Sequence, residues 1–498
     1  MKTKKEITIT GALALACLAA ASCSKHDAPP APATSTTPPK PNVIFILVDD
    51  MGYGDLSCYG NTLASTPNID RLAADGIQFN QFYVNSPVCS PSRVAITTGR
   101  SPSRYGVYTY FNDHKTNSNL GMPDYLAPDA PTMARVFKAN GYATAHIGKW
   151  HMGGGRDVGD APLITDMGND FSLTSFEGLG DRLLSNGENL SKESAKLGKG
   201  KMTWVEPRVR TAIYVDTLLD FIDRNKNTGK PFFVNLWLND VHDPYKPAPG
   251  WEKYAAVTDN IENQKFFAVL ETMDHDLGRL FAKLDEWRLR DNTLIVLLSD
   301  NGPTDWPSYY KNGGKPPCSA GDLLGRKWSL YEGGIRVPFI IRWPGKVPAG
   351  KVDNTTILSS LDFMPTLAAM LSLKLPDGYI SDGEDMSAAL QGRPRPRAKD
   401  VFWYYNNRPL PGNPANWTPE YAVRSGDWKL LCNEDGTETH LFNITQDHRE
   451  TQDLARQKPA LTAALLEKVR LWKNEAFPPG APPKLPDNRQ NTGKTNTP

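Results

Sequence analysis

Cysteine is scarce in this chain, with six among 498 residues, too few for a disulfide scaffold at this length. Net charge is just as scarce. Lys and Arg number 56 and Asp and Glu 55, a formal +1. No basic excess is available to neutralise phosphates, so nucleic acid is excluded as a partner. An anionic substrate must then be met by a local cluster of cations. No apolar run is long enough to span a bilayer as an ordinary helix, and no internal repeat is present. What is there suits a large globular body: 39% hydrophobic, 10% aromatic and 22% charged residues in 55.0 kDa. That is room for one large α/β domain plus an appendage. Forty glycines and 41 prolines point to a loop-rich fold, not a helical bundle.

The chain opens with Lys2, Lys4 and Lys5, followed by an apolar run from Gly11 to Ala21, the pattern of an export signal. The run closes in Ala20-Ala21-Ser22-Cys23, which resembles a bacterial lipobox with Ala20 where Leu is usual. That resemblance implies cleavage before Cys23 and acylation of Cys23. The expectation is export in a bacterium to the periplasm or cell surface, with a lipid anchor in a membrane. Plain cleavage by the general signal peptidase is the alternative. Losing residues 1–22 leaves 53 basic and 54 acidic residues, so the charge stays near zero. Residues 23–41 form a Pro-rich tether, and 478–498 are a Pro- and Asn-rich tail expected to be disordered.

Asn42–Val48 is a continuous apolar run, as in a strand buried on both faces of a parallel sheet, and it ends in Asp49-Asp50. Pro67 to Ala74 and Pro131 to Ala139 read as helices, 143–147 as a short strand, 208–224 as a helix and Pro231 to Leu238 as a strand. Phe266, Val269, Leu270, Met273, Leu277, Leu280, Phe281 and Leu284 keep a 3.6-residue period, which predicts a long helix over 262–288. Thr293 to Leu298 is another buried strand, ending in Ser299-Asp300-Asn301, and Val337 to Arg342 is one more. Alternating strands and helices imply an α/β fold: a large, mostly parallel sheet sandwiched by helices. Ligands then collect at the carboxyl ends of strands. Composition shifts near 375–400, which sets a catalytic domain at 42–380 and a smaller α+β domain at 381–477. The latter has strands within Tyr421–Leu431, a turn at Ser425-Gly426 and a helix over 458–474.

The most informative stretch is Cys89-Ser90-Pro91-Ser92-Arg93-Val94-Ala95-Ile96-Thr97-Thr98-Gly99-Arg100. Ser90 can cap a helix and Pro91 suits its first turn. Cys89 would then sit at a helix N-terminus, where the dipole favours negative charge and a thiol pKa falls. The pattern C-x-P-S-R followed by T-G-R closely resembles the signature of the type I sulfatases of the alkaline-phosphatase-like superfamily. The resemblance extends over roughly 42–476, because further motifs of that family occur in order. Asp49-Asp50 and Asp300-Asn301 resemble the two halves of its calcium site. Four oxygen ligands at two strand ends are what a hard dication wants, and Ca²⁺ suits them better than Mg²⁺, which demands tighter octahedral geometry. Gly148-Lys149-Trp150-His151 matches a G-K-W-H motif. His242, in Asn239-Asp240-Val241-His242-Asp243-Pro244, matches a second active-site histidine, although that motif commonly has proline in place of Val241. Lys327 through Pro338 matches K-x4-E-G-G-x-R-V-P, with Glu332 and Arg336 read as supporting residues and Asp362 as structural.

The resemblance implies that Cys89 is converted to formylglycine by a formylglycine-generating or sulfatase-maturating enzyme, and that residue 89 also ligates the single Ca²⁺. It implies hydrolysis of a sulfate monoester. One hydroxyl of the hydrated aldehyde, deprotonated with help from Asp300 and the metal, attacks sulfur. His242 or Lys327 protonates the leaving alcohol. The second hydroxyl, deprotonated by His151, restores the aldehyde and expels sulfate. Ca²⁺, Lys149, Lys327 and Arg93 form the expected cationic cradle for sulfate. Export together with this family points to a sulfated carbohydrate substrate. The nearest alternative is a phosphate or phosphonate ester hydrolase of the same superfamily. The alternative of another class is a non-catalytic glycan-binding lipoprotein. Phe402 to Arg408 and Trp417 are either sugar-stacking residues or strand packing, and loops 104–125 and 304–319 are expected to wall the pocket. Of Cys58, Cys318 and Cys432, at most two can pair.

Overall fold

The computed structural model describes residues 40–406 and 412–481. The leader, Cys23 and the tether as far as residue 39 lie outside the described residues. So do Asn407, Arg408 and the tail from 482. Ten strands form the main sheet: β1 Asn42–Val48, β2 Ile77–Phe79, β3 Ala143–Gly148, β4 Phe171–Thr174, β5 Arg182–Ser185, β6 Met202–Val205, β7 Phe232–Leu238, β8 Thr293–Ser299, β9 Phe339–Arg342 and β10 Lys351–Asp353. They lie in the order β10-β2-β9-β8-β1-β7-β3-β4-β5-β6. β1 runs parallel to both β7 and β8, and the sheet is parallel except at β9, which is antiparallel to β8 and β2.

Every residue of β1, β7 and β8 is buried, as central strands covered on both faces must be. Alternate side chains serve opposite layers. Ile44, Ile46 and Val48 pack with α4 (Arg210–Asn225) and α5 (Ile261–Glu286), whereas Val43, Phe45 and Leu47 meet Phe79, Phe137, Trp237 and Phe363. The other helices used below are α1 (Pro67–Ala74), α2 (Cys89–Thr98), α3 (Met133–Ala139) and α6 (Pro459–Ala476).

Three local readings are corrected. The helix expected from Pro131 starts at Met133, because the Thr132 hydroxyl accepts Arg135 N–H and caps it. The strand expected from Val337 starts at Phe339. Pro338 has no N–H to give to a ladder, and Val337 N–H is taken by Phe82 O. Ser90 does not cap α2. The extended Val88 is the cap residue, Ser90 already lies inside the helix, and its hydroxyl accepts Phe111 N–H at 3.0 Å.

A second, antiparallel sheet holds β11 Val401–Tyr404, β12 Tyr421–Ser425, β13 Trp428–Cys432 and β14 Thr439–Asn443 in sequential order. Phe402 stacks on Trp472 of α6 at 5.2 Å. Residues 381–400 run along the larger body first, where Asp382 takes Ser101 N–H and the Arg104 guanidinium. The sheet is pinned by a buried charge triad: Lys429 Nζ lies 2.9 Å from Glu332 Oε1 and 2.9 Å from Glu450 Oε1. Burial pushes Glu332 up, but Lys429 and Arg336 outweigh it and hold it at about 2. Burial raises Glu450 to about 7. Stability from the protonated Glu450 is thus full below its ordinary pKa and is lost as pH rises through about 7.

Replacing Lys429 by Met strands two carboxylates and should cost about 3–5 kcal/mol at pH 7. The cost should be smaller near pH 4.5, where Glu450 carries its proton. Urea denaturation at the two pH values checks both the size and the direction.

Candidate active site

Four strand ends converge. β1 delivers Asp49 and Asp50, β8 delivers Asp300 and Asn301, β3 leads to Lys149 and His151, and β7 leads to His242. Backbone bonds hold the ends in register: Asp49 N–H to Asp240 O at 3.0 Å, Asp300 N–H to Val48 O at 3.3 Å, and Lys149 N–H to Trp237 O at 2.8 Å. Gly148 makes the last of these possible. Its φ is 112°, and a Cβ there would sit 1.8 Å from Trp237 O. Val241 lies where the resembling motif commonly has proline, and the Asp240–Val241 peptide is cis.

The first turn of α2 enters this junction. Donor atoms of Asp49, Asp50, Cys89 and Asp300 all lie within 4.8 Å of one another, and all four residues are buried. Cations match them. Arg93 donates twice to Asp300 Oδ2, at 2.9 and 2.7 Å, reaches Asp49 Oδ1 at 3.3 Å and gives a third bond to Lys149 O. Lys149 Nζ is 2.8 Å from Asp49 Oδ2, and Lys327 Nζ is 2.7 Å from each oxygen of Asp50. His242 Nε2 is 3.2 Å from Lys327 Nζ. Arg93 is therefore committed to the carboxylates and does not face an open cleft.

Burial pushes Asp49 up, but Lys149, His242 and Arg93 outweigh it and hold it well below the usual carboxylate range. Burial raises Asp300 to about 6 despite Arg93. Both lysines lose hydration but gain more from Asp49 and Asp50, and both stay charged. Cys89 overturns the helix-dipole expectation: burial drives its thiol well above the ordinary value, against the pull of Lys149 and Lys327. Desolvation of the thiolate exceeds what a helix end supplies.

One residue of the site carries no sequence signal. Glu177 lies beyond β4, in no motif, yet its Oε2 is 3.3 Å from Lys149 Nζ and its Oε1 is 3.2 Å from His151 Nε2. Burial raises Glu177, but His151 and Lys149 outweigh it and hold it at about 2. Burial pushes His151 down to about 3, so the imidazole is neutral. The carboxylate assigns the proton to Nε2 and leaves Nδ1, which is buried without a partner, as an acceptor. A cleft borders His151 and Glu177 and is also lined by Phe111, Asn112, Asp124 and Arg156. Loop 104–125 thus does wall the site. Tyr309, from loop 304–319, donates to Asp243 Oδ2 at 3.0 Å.

A divalent cation fits the donor set. Asn301 Oδ1 is buried with no partner, while its amide nitrogen donates to Asp50 Oδ1 at 2.7 Å. With Asp49, Asp50 and Asp300 it makes an all-oxygen group of the kind that hard cations prefer. The remaining motif residues support the frame. Glu332 takes the Tyr83 hydroxyl at 2.7 Å, Arg336 donates to Asn80 O at 2.6 Å, and Asp362 receives Arg397 at 2.5 and 2.9 Å. Trp403 and Tyr404 are core side chains, with Trp403 Nε1 donating to Val84 O, so these two pack the domain boundary. Cys58, Cys318 and Cys432 are all unpaired.

Comparison with known proteins agrees with this geometry. The sulfatase family model matches residues 41–373. The chain belongs to the sulfatase family. A second model, the C-terminal part of N-sulphoglucosamine sulphohydrolase, matches 324–474 and so takes in the smaller sheet of this sulfatase. An N-acetylgalactosamine-6-O-sulfatase of Bacteroides thetaiotaomicron is 30% identical, over 87% of this chain and 93% of its own. Arylsulfatase A of Homo sapiens is 31% identical over 82% and 76%. The solved structure of Ps i-CgsB with k-i-k-neocarrahexaose superposes with a TM-score of 0.72 at 28% identity, covering 89% of this chain and 94% of that one. As a sulfatase, the chain is a sulfuric ester hydrolase.

A divalent cation at this site should stabilise the sulfatase by about 2.7 kcal/mol at a hundredfold excess over its Kd. Melting curves in EDTA, with and without added divalent salt, measure that shift.

Proposed function

We propose that this sulfatase removes sulfate from a sulfated saccharide, with residue 89 as formylglycine and Ca²⁺ as its metal. The observation that carries the reading is the buried group of Asp49, Asp50, Cys89 and Asp300 ringed by Arg93, Lys149 and Lys327. Two facts support the finer points. Cys89 is held above its ordinary pKa by burial, which makes an unmodified thiol a poor nucleophile. The all-oxygen donor set suits Ca²⁺. Relatives named for sulfated sugars support the saccharide. We further propose that an exported, lipid-anchored form, held through Cys23, works at the periplasm or cell surface after a maturating enzyme converts Cys89.

Held by Asp49, Asp50, Asp300 and Asn301, Ca²⁺ would add positive charge to this pocket, and formylglycine would supply the attacking oxygen as an aldehyde hydrate. The chain's own groups do the rest. Lys149, braced between Asp49 and Glu177, presents a fixed ammonium to the anion. Arg93 acts through Asp300, which it orients and keeps from turning away from residue 89. His151 accepts a proton at Nδ1, because Glu177 holds Nε2–H. The departing alcohol takes its proton on the side of His242 and Lys327, whose polar atoms are 3.2 Å apart.

A mass spectrum of the peptide spanning residue 89 should show formylglycine in the active protein, and Cys89→Ala should lose at least about 10³-fold in kcat. Unmodified cysteine in a fully active preparation overturns the proposal. Faster turnover of 4-nitrophenyl phosphate than of the sulfate and of sulfated saccharides would favour the phosphoester alternative. Glu177→Gln should lower kcat about a hundredfold with a smaller change in KM. Steady-state kinetics separate the two, and the reverse pattern would make Glu177 a binding residue only.

A further inference from the structure

Two clefts flank the reacting centre, one bordered by His151 and the other by His242. The second is lined by Arg208, Arg210, Asp240, Tyr245, Lys246 and Thr272 besides His242. Three of these are cations, and they are poorly balanced. Arg208 and Lys246 are exposed, and among the described residues neither lies in an ion pair. Arg210 is half-buried. One of its terminal nitrogens donates to Ser185 Oγ at 3.1 Å, while its Nε is buried with no partner. The single lining carboxylate, Asp240, is half-buried and accepts the Thr211 hydroxyl.

Three cations thus line one concavity beside a single lining carboxylate. That concavity borders the group on whose side the alcohol departs, so the scaffold of the cleaved ester extends toward it. Tyr245 is buried there, leaving no aromatic face for stacking, whereas guanidinium and ammonium groups suit a sulfate or carboxylate.

We propose that Arg208, Arg210 and Lys246 bind a second anionic group, a sulfate or a carboxylate, carried by the saccharide whose ester is cleaved at residue 89. This rests on the sulfate-ester reading and narrows it to polyanionic glycans. The site would act through KM, and its contribution would fall with ionic strength.

The test compares three probes: N-acetylgalactosamine 6-sulfate, its 4,6-disulfate, and the 6-sulfate joined to a hexuronate. The wild type should favour at least one of the two richer anions. In the Arg208→Gln/Lys246→Gln double variant, the kcat/KM ratio of that probe to the monosulfate should fall about tenfold, through KM, as expected for two partly exposed charge-assisted contacts. The two richer probes separate a sulfate from a carboxylate. Equal losses on all three probes, or no preference in the wild type, overturn the proposal. Calorimetry of the same probes on Cys89→Ser protein separates this site from the hydrolase reading. Cation-dependent binding of the richer anion without any desulfation by the wild type would leave the subsite standing and sink the hydrolase.

Discussion

The structure depends on one buried ion cluster. Asp49, Asp50 and Asp300 sit at the carboxyl ends of two central strands, each essentially inaccessible to water, and Arg93, Lys149 and Lys327 lie within 3.3 Å of them. Taking so many charges out of water is tolerable only if each finds a partner in good geometry. The fold meets that demand with rigid parts. Strands buried along their whole length fix the carboxylates, a tight turn at Gly148 fixes Lys149, and the first turn of α2 fixes Arg93. With Glu177 included, four carboxylates face three cations, a formal shortage of one positive charge. The same shortage makes the site receptive to a dication.

The parts of this arrangement that lie at the ends of long apolar runs were readable from the residues alone. Asn42–Val48 and Thr293–Leu298 have the pattern of doubly covered strands, which puts Asp49-Asp50 and Asp300-Asn301 at carboxyl ends, where ligands collect. Glu177 was not readable. Its strand is only four residues long, and its partners, Lys149 and His151, lie across a loop of more than twenty residues that no periodicity constrains. Arg93 was readable as an active-site residue but not in its role. A cation in the sulfate motif looks like a sulfate ligand until the structure shows its guanidinium bound to Asp300, Asp49 and Lys149 O. The thiol of Cys89 failed in the same way. Helix position is visible in a sequence, whereas desolvation is visible only in a packed structure, and here desolvation wins. The aromatic stretch at 402–405 was open between sugar contact and packing, and the stacking of Phe402 on Trp472 resolves its first residue toward packing.

The smaller sheet does more than close the core. It grips the segment that leads into the reacting residue: Trp403 Nε1 donates to Val84 O, Asn85 Nδ2 donates to Phe402 O, and Tyr83 reaches Glu332, which Lys429 of β13 holds. Trp328 N–H adds a bond to Pro87 O, tying the same segment to the neighbour of Lys327. Residues 83–88 are thus clamped from two directions just before Cys89. A reacting side chain at a helix start has no such support from the helix itself, because the first turn lacks its own carbonyl partners on the upstream side. Its position must be imposed by what comes before it. That explains why a triad more than a loop away from the chemistry, built on Lys429, is buried even though it leaves Glu450 half-neutralised near pH 7. The charges are unfavourable to bury, but they join the second sheet to the strand end that aims residue 89 at the carboxylates.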